Sequence, residues 1–290
     1  RMSKDEAIDE SLGQFMNSHY FKGFQAHLGE TLMSAFIDSN PSFGKYGTRR
    51  TPRAWRAVRA WRRLTPSRSR KPWPLMIWAA IAVTLALRQQ PDMAKFLLLG
   101  LGTYARPSEL LGLRKQDVIQ PVRGMSRFGA ILIAPEDAGV TTKTGETDDS
   151  VLLDCSWMPW LHLIAKDLSS SQVNGSDPLF SFDYPTFCAE FNDAVAELDM
   201  TRLGLVPYAW RHSGPSIDRA QNHRSLAEVQ KRGRWKQLRS VARYEKAGRL
   251  GVGVRDLTSE QVAFCEMCER NLGDFICGRR TPLSRFRVVA

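Results

Sequence analysis

The chain has 290 residues, of which 43% are apolar and 24% are charged. This composition is too apolar for a disordered protein, and the length fits one large globular domain or two ordinary ones. The five cysteines are odd in number and scattered, which excludes a disulfide-stabilised scaffold and favours a reducing, intracellular setting. A formal net charge of +11 favours a polyanionic partner, with nucleic acid ahead of an anionic membrane.

The charge is unevenly distributed along the chain. Residues 45–71 include 11 basic residues and no acidic one, and residues 201–249 include 12 basic residues against three acidic ones. Between these blocks, residues 134–200 hold 13 acidic residues and two basic ones. We therefore expect a phosphate-binding surface that draws on both basic blocks, while the acidic block faces away from it.

The first basic block has the pattern of an amphipathic helix. Trp55, Val58 and Trp61 recur at every third position, with arginines between them, which predicts a short helix with an aromatic stripe. Three interpretations remain open: a solvated basic face over a tryptophan core, a helix along a DNA backbone, or a membrane-surface helix. The candidate DNA-binding residues of this block are Arg49, Arg50, Arg53, Arg56, Arg59, Arg62 and Arg63.

The pattern of apolar and turn residues predicts mostly helices. Residues 1–64 read as helical, and the proline-containing stretch 65–74 reads as a linker. The apolar run 72–87 is 16 residues long, shorter than the ~20 that span a bilayer, so it predicts a buried helix near 75–89. A second helix is expected near 92–102.

The rest of the chain combines two short strands with more helices. Residues 128–134 and 150–154 predict strands of a small antiparallel hairpin, and residues 185–200 predict a helix. Capping-box spacings predict helices from Ser225 to Gly233 and over 258–276, with a basic helix over 236–247 between them. The expected fold is therefore mainly α with a small antiparallel β-sheet.

Several common motifs are absent from the sequence. There is no phosphate-binding P-loop, no dinucleotide-binding glycine motif after a strand and no H-E-x-x-H zinc motif. Cys265, Cys268 and Cys277 lack a nearby fourth ligand for zinc, and their apolar neighbours favour buried structural cysteines. We therefore expect no metal and no cofactor.

Three separated segments carry residues suited to phosphate chemistry. Residues 103–113 place Arg106 at a helix start, and residues 141–151 place Lys143 at the expected hairpin turn. Residues 207–244 contain Tyr208, Arg211, His212, Trp235 and Tyr244. Each of these residues taken alone has an ordinary structural explanation.

In this order, the segments resemble the tyrosine recombinase (phage integrase) family. That family carries an Arg box of the form T-G-x-R-x-S-E-L, a T-K-T-G lysine turn, H-x-x-R, then His or Trp, and a tyrosine nine residues later. The matching residues here are Thr103, Arg106, Ser108, Glu109, Leu110, Thr142, Lys143, Thr144, Gly145, Arg211, Trp235 and Tyr244. The resemblance covers residues 72–248, and the wider sequence looks like recombinases of eukaryotic mobile elements.

The resemblance implies a catalytic role for each matching position. Arg106 and Arg211 would hold the non-bridging phosphate oxygens and stabilise the transition state. Tyr244 would attack phosphorus to give a 3′-phosphotyrosyl link, and Lys143 would protonate the leaving 5′-oxygen. Trp235 would bind or orient the phosphate, because an indole N–H is only a donor. ATP is unnecessary, since the phosphotyrosyl bond retains the energy of the broken phosphodiester.

One departure from the family pattern matters for the chemistry. Tyr208 stands where the family has the His of H-x-x-R, and tyrosine does not exchange protons near neutrality as histidine does. Tyr208 can still donate a hydrogen bond to phosphate. The departure puts general base catalysis, and with it full activity, in doubt.

The resemblance also sets expectations for organisation and partners. We expect a basic helical DNA-binding region at 1–71, a tyrosine recombinase-like catalytic domain at 72–250 and a helical extension at 251–290. Helix 258–276 would dock onto a neighbouring subunit in a tetrameric synapse on double-stranded DNA, with no membrane partner. The expected location is intracellular, DNA-associated and nuclear.

Three other functions remain open. A type IB topoisomerase shares the phosphotyrosyl chemistry, although the separate basic N-terminal block and the C-terminal helix favour recombination. An inactive, recombinase-derived DNA-binding protein would explain Tyr208. A basic membrane-surface protein would explain residues 45–71 but none of the motifs.

Overall fold

The computed structural model describes residues 2–65, 70–133, 149–170 and 174–281. The chain divides into two compact units, Arg1–Ser69 and Arg70–Ala290. The expected fold class is confirmed: helices dominate, and one small antiparallel sheet accompanies them.

The first unit is helical, as the sequence predicts. Its helices are α1 (Lys4–Phe21), α2 (His27–Ser39) and α3 (Pro52–Leu64). Their shared core contains Met16, Met33, Val58 and Trp61. The stripe on α3 therefore faces this core, and the arginines between the stripe residues remain outside.

The start of α3 is fixed by a carboxylate of α1. Thr51 precedes α3 without capping it, and buried Asp9 takes that role. The Asp9 carboxylate accepts from the backbone N–H groups of Arg53 and Ala54, each at 2.9 Å. These two bonds satisfy N–H groups that a helix start leaves without partners. They therefore hold the first turn of α3 against α1.

The second unit is built around an apolar helix. Its helices are α4 (Leu75–Leu87), α5 (Pro91–Thr103), α6 (Pro107–Leu111), α7 (Leu161–Ser170), α8 (Tyr184–Glu197), α9 (Trp210–Ala220), α10 (Leu226–Arg232), α11 (Leu238–Val241) and α12 (Ser259–Ile276). Helix α4 is buried along nearly its whole length and packs against α5, α8 and α12. Among the described residues, no helix has both the length and the apolar character that crossing a membrane requires.

The sheet has one more strand than the sequence predicts. Strands β2 (Ala130–Ile133) and β3 (Asp149–Leu152) are antiparallel, as expected, and β1 (Val118–Ile119) adds a short third strand beside β2. A two-residue strand is too short to produce a detectable alternation of apolar residues. The turn expected between β2 and β3 lies outside the described residues.

Helix α12 is part of the core of the second unit. The predicted capping box between Thr258 and Gln261 is present, and α12 packs on α4 with Phe264, Cys265 and Leu272 buried. Of the apolar stripe expected to dock onto a neighbouring subunit, Cys265 and Leu272 are buried within the unit, whereas Val262 and Ile276 are half-buried. Docking of α12 onto a neighbouring subunit stays a prediction. The interpretation as buried cysteines is confirmed for Cys265 and Cys268, whereas Cys277 is only half-buried.

The prediction of a basic helix over residues 236–247 is wrong. Only α11 forms there, and residues 242–246 leave the helical path. Helix α9 binds their backbone instead: His212 Nδ1 lies 3.1 Å from the Arg243 carbonyl, and the Ser216 hydroxyl accepts the Lys246 N–H at 2.8 Å. These bonds replace the hydrogen bonds that a continuing helix would make.

Candidate active site

Four short segments of the second unit converge on one site. They are the start of α6, the turn before α9 with the first residues of that helix, the residues after α10, and the residues after α11. Each segment begins or ends a helix. Their side chains therefore project from fixed helix ends.

The first segment places Arg106 at the N-cap of α6. Its backbone N–H donates to the Glu109 carboxylate at 2.6 Å, and its guanidinium forms an ion pair with the same carboxylate. Pro107 occupies the first helical position, which suits the fixed φ of proline. The half-buried guanidinium of Arg106 is thereby tied to its own helix start.

Arg211 is the most deeply buried cation of the site. Its side chain is fully buried, with Nη1 donating to the Tyr104 carbonyl and Nη2 donating to the Gly233 carbonyl at 2.8 Å. Its Nε has no hydrogen-bond partner among the described residues. Burial and the nearby charge of Arg106 lower the pKa of Arg211 to about 10, so Arg211 is charged at neutral pH.

A third guanidinium joins these two through Glu109. Arg234 donates to the Glu109 carboxylate at 2.5 Å, and Arg211 lies 3.9 Å from it. Burial alone would raise the pKa of Glu109, but Arg234, the Arg106 backbone N–H, Arg211 and the Arg106 side chain together lower it. Arg234 Nε also lies 3.4 Å from the Asp149 carboxylate. The three positive charges therefore exceed the two negative charges, and the excess makes the site suitable for an anion.

Two residues of this charge cluster were not predicted as site residues. The spacing of Arg106 and Glu109 matches that of a helix N-cap and its third residue, which could have identified Glu109 as a partner. Arg234 directly precedes Trp235 and has a positive φ of 54°. Nothing in the sequence pattern signals that conformation for an arginine.

Trp235 and Tyr244 form the aromatic part of the site. Their rings stack with centroids 4.7 Å apart and planes 27° apart. The Arg211 guanidinium carbon lies 5.1 Å from the Trp235 ring centroid and 5.7 Å from that of Tyr244, within the range of cation–π attraction. Trp235 is buried, yet its Nε1–H has no partner in the described part of the chain, so it is free to donate to a bound ligand.

Gly233 is required for this placement of the indole. A Cβ at Gly233 would lie 2.0 Å from a ring carbon of Trp235, so any side chain there would displace the indole. The Gly233 carbonyl also accepts from Arg211 at 2.8 Å. A single glycine therefore serves both neighbours.

His212 supports Tyr244, a role that the sequence did not reveal. Its ring centroid lies 4.7 Å from that of Tyr244. Burial and the positive charges of Lys246 and Arg70 lower the pKa of His212 to about 4. The ring is therefore neutral near pH 7, and Nδ1 carries the proton that it donates to the Arg243 carbonyl.

Tyr208 lies beside the tyrosine expected to be the nucleophile. Burial raises the pKa of Tyr208, the Tyr244 side chain also raises it, and Arg211 and Arg106 oppose that change. The Arg70 guanidinium carbon lies 4.6 Å from the centroid of the Tyr208 ring. Tyr208 is thus a protonated phenol at neutral pH, able to donate a hydrogen bond but unsuited to accept a proton.

The structure brings most of the residues expected to be catalytic into this one cluster. Those that converge are Arg106, Tyr208, Arg211, Trp235 and Tyr244. Lys143 lies outside the described residues.

The described arginines of the first unit fall into two groups. In the first group, Arg49 pairs with Asp5, Arg53 with Glu10 and Arg62 with Glu30, while Arg50 donates to backbone carbonyls. The second group comprises Arg56, Arg59 and Arg63, which are exposed and have no carboxylate partner among the described residues of the unit.

The second group forms a continuous stripe on α3. Arg59 follows Arg56 by three positions and Arg63 follows Arg59 by four, a spacing that places all three on one face of a helix. Val58 and Trp61 are buried on the opposite side. We call Arg56, Arg59 and Arg63 the arginine stripe.

Among solved structures, the chain is similar to a recombinase. No protein-family model and no curated protein matches the chain. The chain is similar to the crystal structure of XerA recombinase over 92% of its own length and 90% of that chain, with 16% sequence identity and a TM-score of 0.45. The arrangement of residues around Tyr244 is therefore what supports a function for this protein.

Proposed function

We propose that this protein cleaves and rejoins DNA strands through a covalent 3′-phosphotyrosyl intermediate, as a tyrosine recombinase of a mobile element. One observation carries the proposal: the ring of Tyr244 lies 5.7 Å from the guanidinium of Arg211, within a cluster where three arginines surround the Glu109 carboxylate. Such a cluster has a net positive charge beside a tyrosine. That combination is what an attack on a phosphodiester requires.

The phosphate would be held by groups that have free hydrogen-bonding capacity. Arg211 Nε and Trp235 Nε1 have no partner among the described residues, although buried donors are nearly always paired. A phosphate between them would satisfy both donors. Arg106 would contact a second non-bridging oxygen, and Tyr208 would donate a further hydrogen bond.

The covalent step exchanges one phosphoester bond for another. The hydroxyl oxygen of Tyr244 attacks phosphorus, the bond to the 5′-oxygen breaks, and Lys143 protonates that oxygen. The proton of Tyr244 passes to solvent water, because Tyr208 is itself protonated. Attack by another 5′-hydroxyl reverses these steps and rejoins the strands without ATP.

The first unit would add affinity for duplex DNA. The arginine stripe presents three cations without acidic partners on one helix face, and such side chains neutralise backbone phosphates rather than read bases. We infer double-stranded DNA as the partner and a tetramer on DNA as the working assembly. The corresponding location is the nucleus.

The test is the formation of a covalent adduct on nicked suicide substrates. Duplexes pooled from the native genome are nicked so that cleavage releases a short fragment and traps the protein–DNA link. We expect wild-type adducts that denaturing gels resolve and protease digestion removes. Tyr244→Phe should abolish these adducts and keep the DNA dissociation constant, because the substitution removes only one oxygen atom.

The matched control is Tyr208→Phe, which removes a hydroxyl beside the same cluster. This variant should form adducts more slowly than wild type, since it loses a donor but not the nucleophile. Adducts that persist in Tyr244→Phe and vanish in Tyr208→Phe would assign the nucleophile to Tyr208.

A second candidate, an inactive DNA-binding protein derived from a recombinase, is favoured by the raised pKa of Tyr208. Histidine at this position would supply a group that titrates near neutrality. The substitution Tyr208→His separates the two candidates. DNA binding without adducts in the wild type, together with adducts in Tyr208→His, would establish the inactive protein.

A further inference from the structure

Tyr104 ends α5 in a conformation that is unusual for its residue type. Its φ is +56°, in the left-handed region that glycine adopts at no steric cost and that other residues adopt rarely. Its side chain is fully buried. A buried phenol retained at such a backbone position indicates that the ring makes contacts that offset the strain.

Two of these contacts are with residues of the candidate active site. The Tyr104 carbonyl accepts a hydrogen bond from Nη1 of Arg211. Its ring lies nearly parallel to the indole of Trp235, with centroids 6.4 Å apart and planes 26° apart. The same indole stacks on Tyr244 at 4.7 Å. Tyr104 thus contacts the cation directly and is separated from the nucleophile only by the Trp235 indole.

The far end of the Tyr104 side chain is fixed by a buried carboxylate. The Tyr104 hydroxyl donates to Asp218 of α9. Asp218 also accepts from Trp157 Nε1 at 2.7 Å and from Arg224 Nε at 3.0 Å. Because two other donors hold Asp218, the hydroxyl that it binds cannot move independently of α9.

The face of the Tyr104 ring is fixed by close packing against α9. A Cβ built on Gly214 would lie 2.7 Å from two ring carbons of Tyr104 and 2.3 Å from the Leu101 carbonyl oxygen. The absence of a side chain at Gly214 therefore lets the ring lie directly on the helix. The ring is held both at its hydroxyl and across its face.

We propose that Tyr104 is a positioning residue that holds Arg211 and Trp235 in register with Tyr244. Its carbonyl orients the guanidinium, and its ring, fixed by Asp218 and Gly214, supports the indole. The consequence for cleavage rests on the proposed function. The ordering of Arg211 and Trp235 does not.

Two substitutions separate the ring of Tyr104 from its hydroxyl, and both keep the backbone carbonyl, whose position depends on these side-chain contacts. Tyr104→Gly removes the ring and is compatible with the positive φ, and Tyr104→Phe removes only the hydroxyl. The matched control is Trp157→Phe, which deletes another hydrogen bond to the same Asp218 carboxylate. Among the described residues, Trp157 makes no hydrogen bond or ring contact with Arg211 or Trp235. The control therefore removes a hydrogen bond from the Asp218 carboxylate and leaves the contacts of Arg211 and Trp235 intact.

The first measurement is the rate of adduct formation at saturating suicide substrate, beside the dissociation constant for the same DNA. A displacement of about 1 Å in a catalytic group can slow a reaction about a hundredfold. We expect a decrease of that size in Tyr104→Gly and of about tenfold in Tyr104→Phe. The dissociation constant should change less than about threefold, and Trp157→Phe should cleave at the wild-type rate.

The second measurement needs no catalysis. The Nε–H of Arg211 is buried, so a fixed side chain should give its own slowly exchanging signal in ¹H–¹⁵N spectra, assigned with Arg211→Lys. We expect this signal to be lost or broadened in Tyr104→Gly and to persist in Trp157→Phe. The urea midpoint of each variant shows whether the compared proteins are folded. If Tyr104→Gly does not fold, Tyr104→Phe takes its place in both measurements.

The outcomes keep the two proposals apart. Wild-type protein that never forms an adduct would contradict the proposed function, while the Arg211 signal would still decide the role of Tyr104. The positioning role is overturned if the Tyr104 variant keeps the Arg211 signal of the Trp157→Phe control. It is also overturned, for an active wild type, if the Tyr104 variant cleaves at the rate of that control.

Discussion

The indole of Trp235 stacks on the ring of Tyr244 at 4.7 Å, yet its N–H has no hydrogen-bond partner among the described residues. Stacking explains why an aromatic ring stands at position 235. It does not explain a buried donor without a partner, since leaving such a group unpaired costs about 1–3 kcal/mol. A bound phosphate oxygen would remove this cost.

The first prediction separates the ring of Trp235 from its N–H. Trp235→Phe keeps an aromatic ring against Tyr244 but cannot donate a hydrogen bond. A hydrogen bond to a charged group contributes about 1.5–3 kcal/mol, so we expect adduct formation at saturating DNA to slow by about tenfold to a hundredfold. A rate equal to that of wild type would show that position 235 needs only a ring.

The second prediction concerns the carboxylate shared by three arginines. Glu109→Gln leaves Arg106, Arg211 and Arg234 facing one another without the negative charge between them. Removing one partner of a buried ion pair costs about 3–5 kcal/mol, and we expect a loss near the lower end, about 3 kcal/mol, at pH 7 because glutamine still accepts hydrogen bonds. Urea unfolding measures this loss.

The pH dependence of that loss has a definite sign. The pKa of Glu109 is lower in the folded protein than its ordinary value of 4.5, so its stabilising contribution is present above pH 4.5 and is lost as the pH falls through the folded-state pKa. The difference between wild type and Glu109→Gln should therefore shrink in acid. The control Glu266→Gln, at an exposed position on α12, should differ from wild type by less than about 0.5 kcal/mol at every pH.

Local signals in the sequence predicted the helix starts well. Ser225 and Thr258 each cap a helix with the glutamate or glutamine three residues later. This works because the capping box is made within four consecutive residues. Likewise, the apolar run that forms α4 is long enough to specify a buried helix by itself.

Features that depend on contacts between distant segments could not be predicted. Helix α9 contains Gly214 and Pro215, both poor helix formers, and it forms because nine of its residues are buried. The end of α11 was misplaced since the bonds that stop it come from His212 and Ser216 on α9. Helix propensity cannot report such bonds.

In the candidate site too, residues in short motifs were predicted, and residues that depend on contacts between distant segments were not. The order and spacing of the motifs identified Arg106, Arg211, Trp235 and Tyr244 as residues to examine together. Arg234 was missed because its guanidinium reaches Glu109 only through a left-handed backbone conformation. Tyr104 was missed because its hydroxyl binds Asp218, 114 residues away in the sequence, and its ring packs on the comparably distant Trp235 and Gly214.

The third prediction tests whether the apolar side chains of α12 stabilise the second unit. Phe264 is 2% exposed and lies in the core of the second unit, so Phe264→Ala should lower the free energy of unfolding by about 3–5 kcal/mol. The control Arg270→Ala, on the exposed side of α12, should stay within about 0.5 kcal/mol of wild type. Wild-type stability with impaired assembly on DNA would instead favour docking of α12 onto a neighbouring subunit.

The last prediction concerns the two groups of arginines in the first unit. Changing the arginine stripe, Arg56, Arg59 and Arg63, to glutamine removes three cations that have no acidic partner in the described part of the unit. If each neutralises one DNA phosphate, the slope of log Kd against log salt concentration should fall by about 2.7, at about 0.9 for each contact. Sequence preference should be unchanged, because phosphate contacts do not read bases.

The matched control changes Arg49, Arg53 and Arg62 to glutamine. It removes the same formal charge from the same unit, but these arginines are paired with Asp5, Glu10 and Glu30. Exposed ion pairs contribute at most about 1 kcal/mol each, so this variant should remain folded. Because its arginines are already neutralised by protein carboxylates, we expect a smaller change in salt slope than for the arginine stripe. Equal slopes for the two variants would mean that DNA displaces the ion pairs, so that all six arginines contact phosphate. An unchanged slope for the stripe variant would exclude α3 as a DNA-binding face.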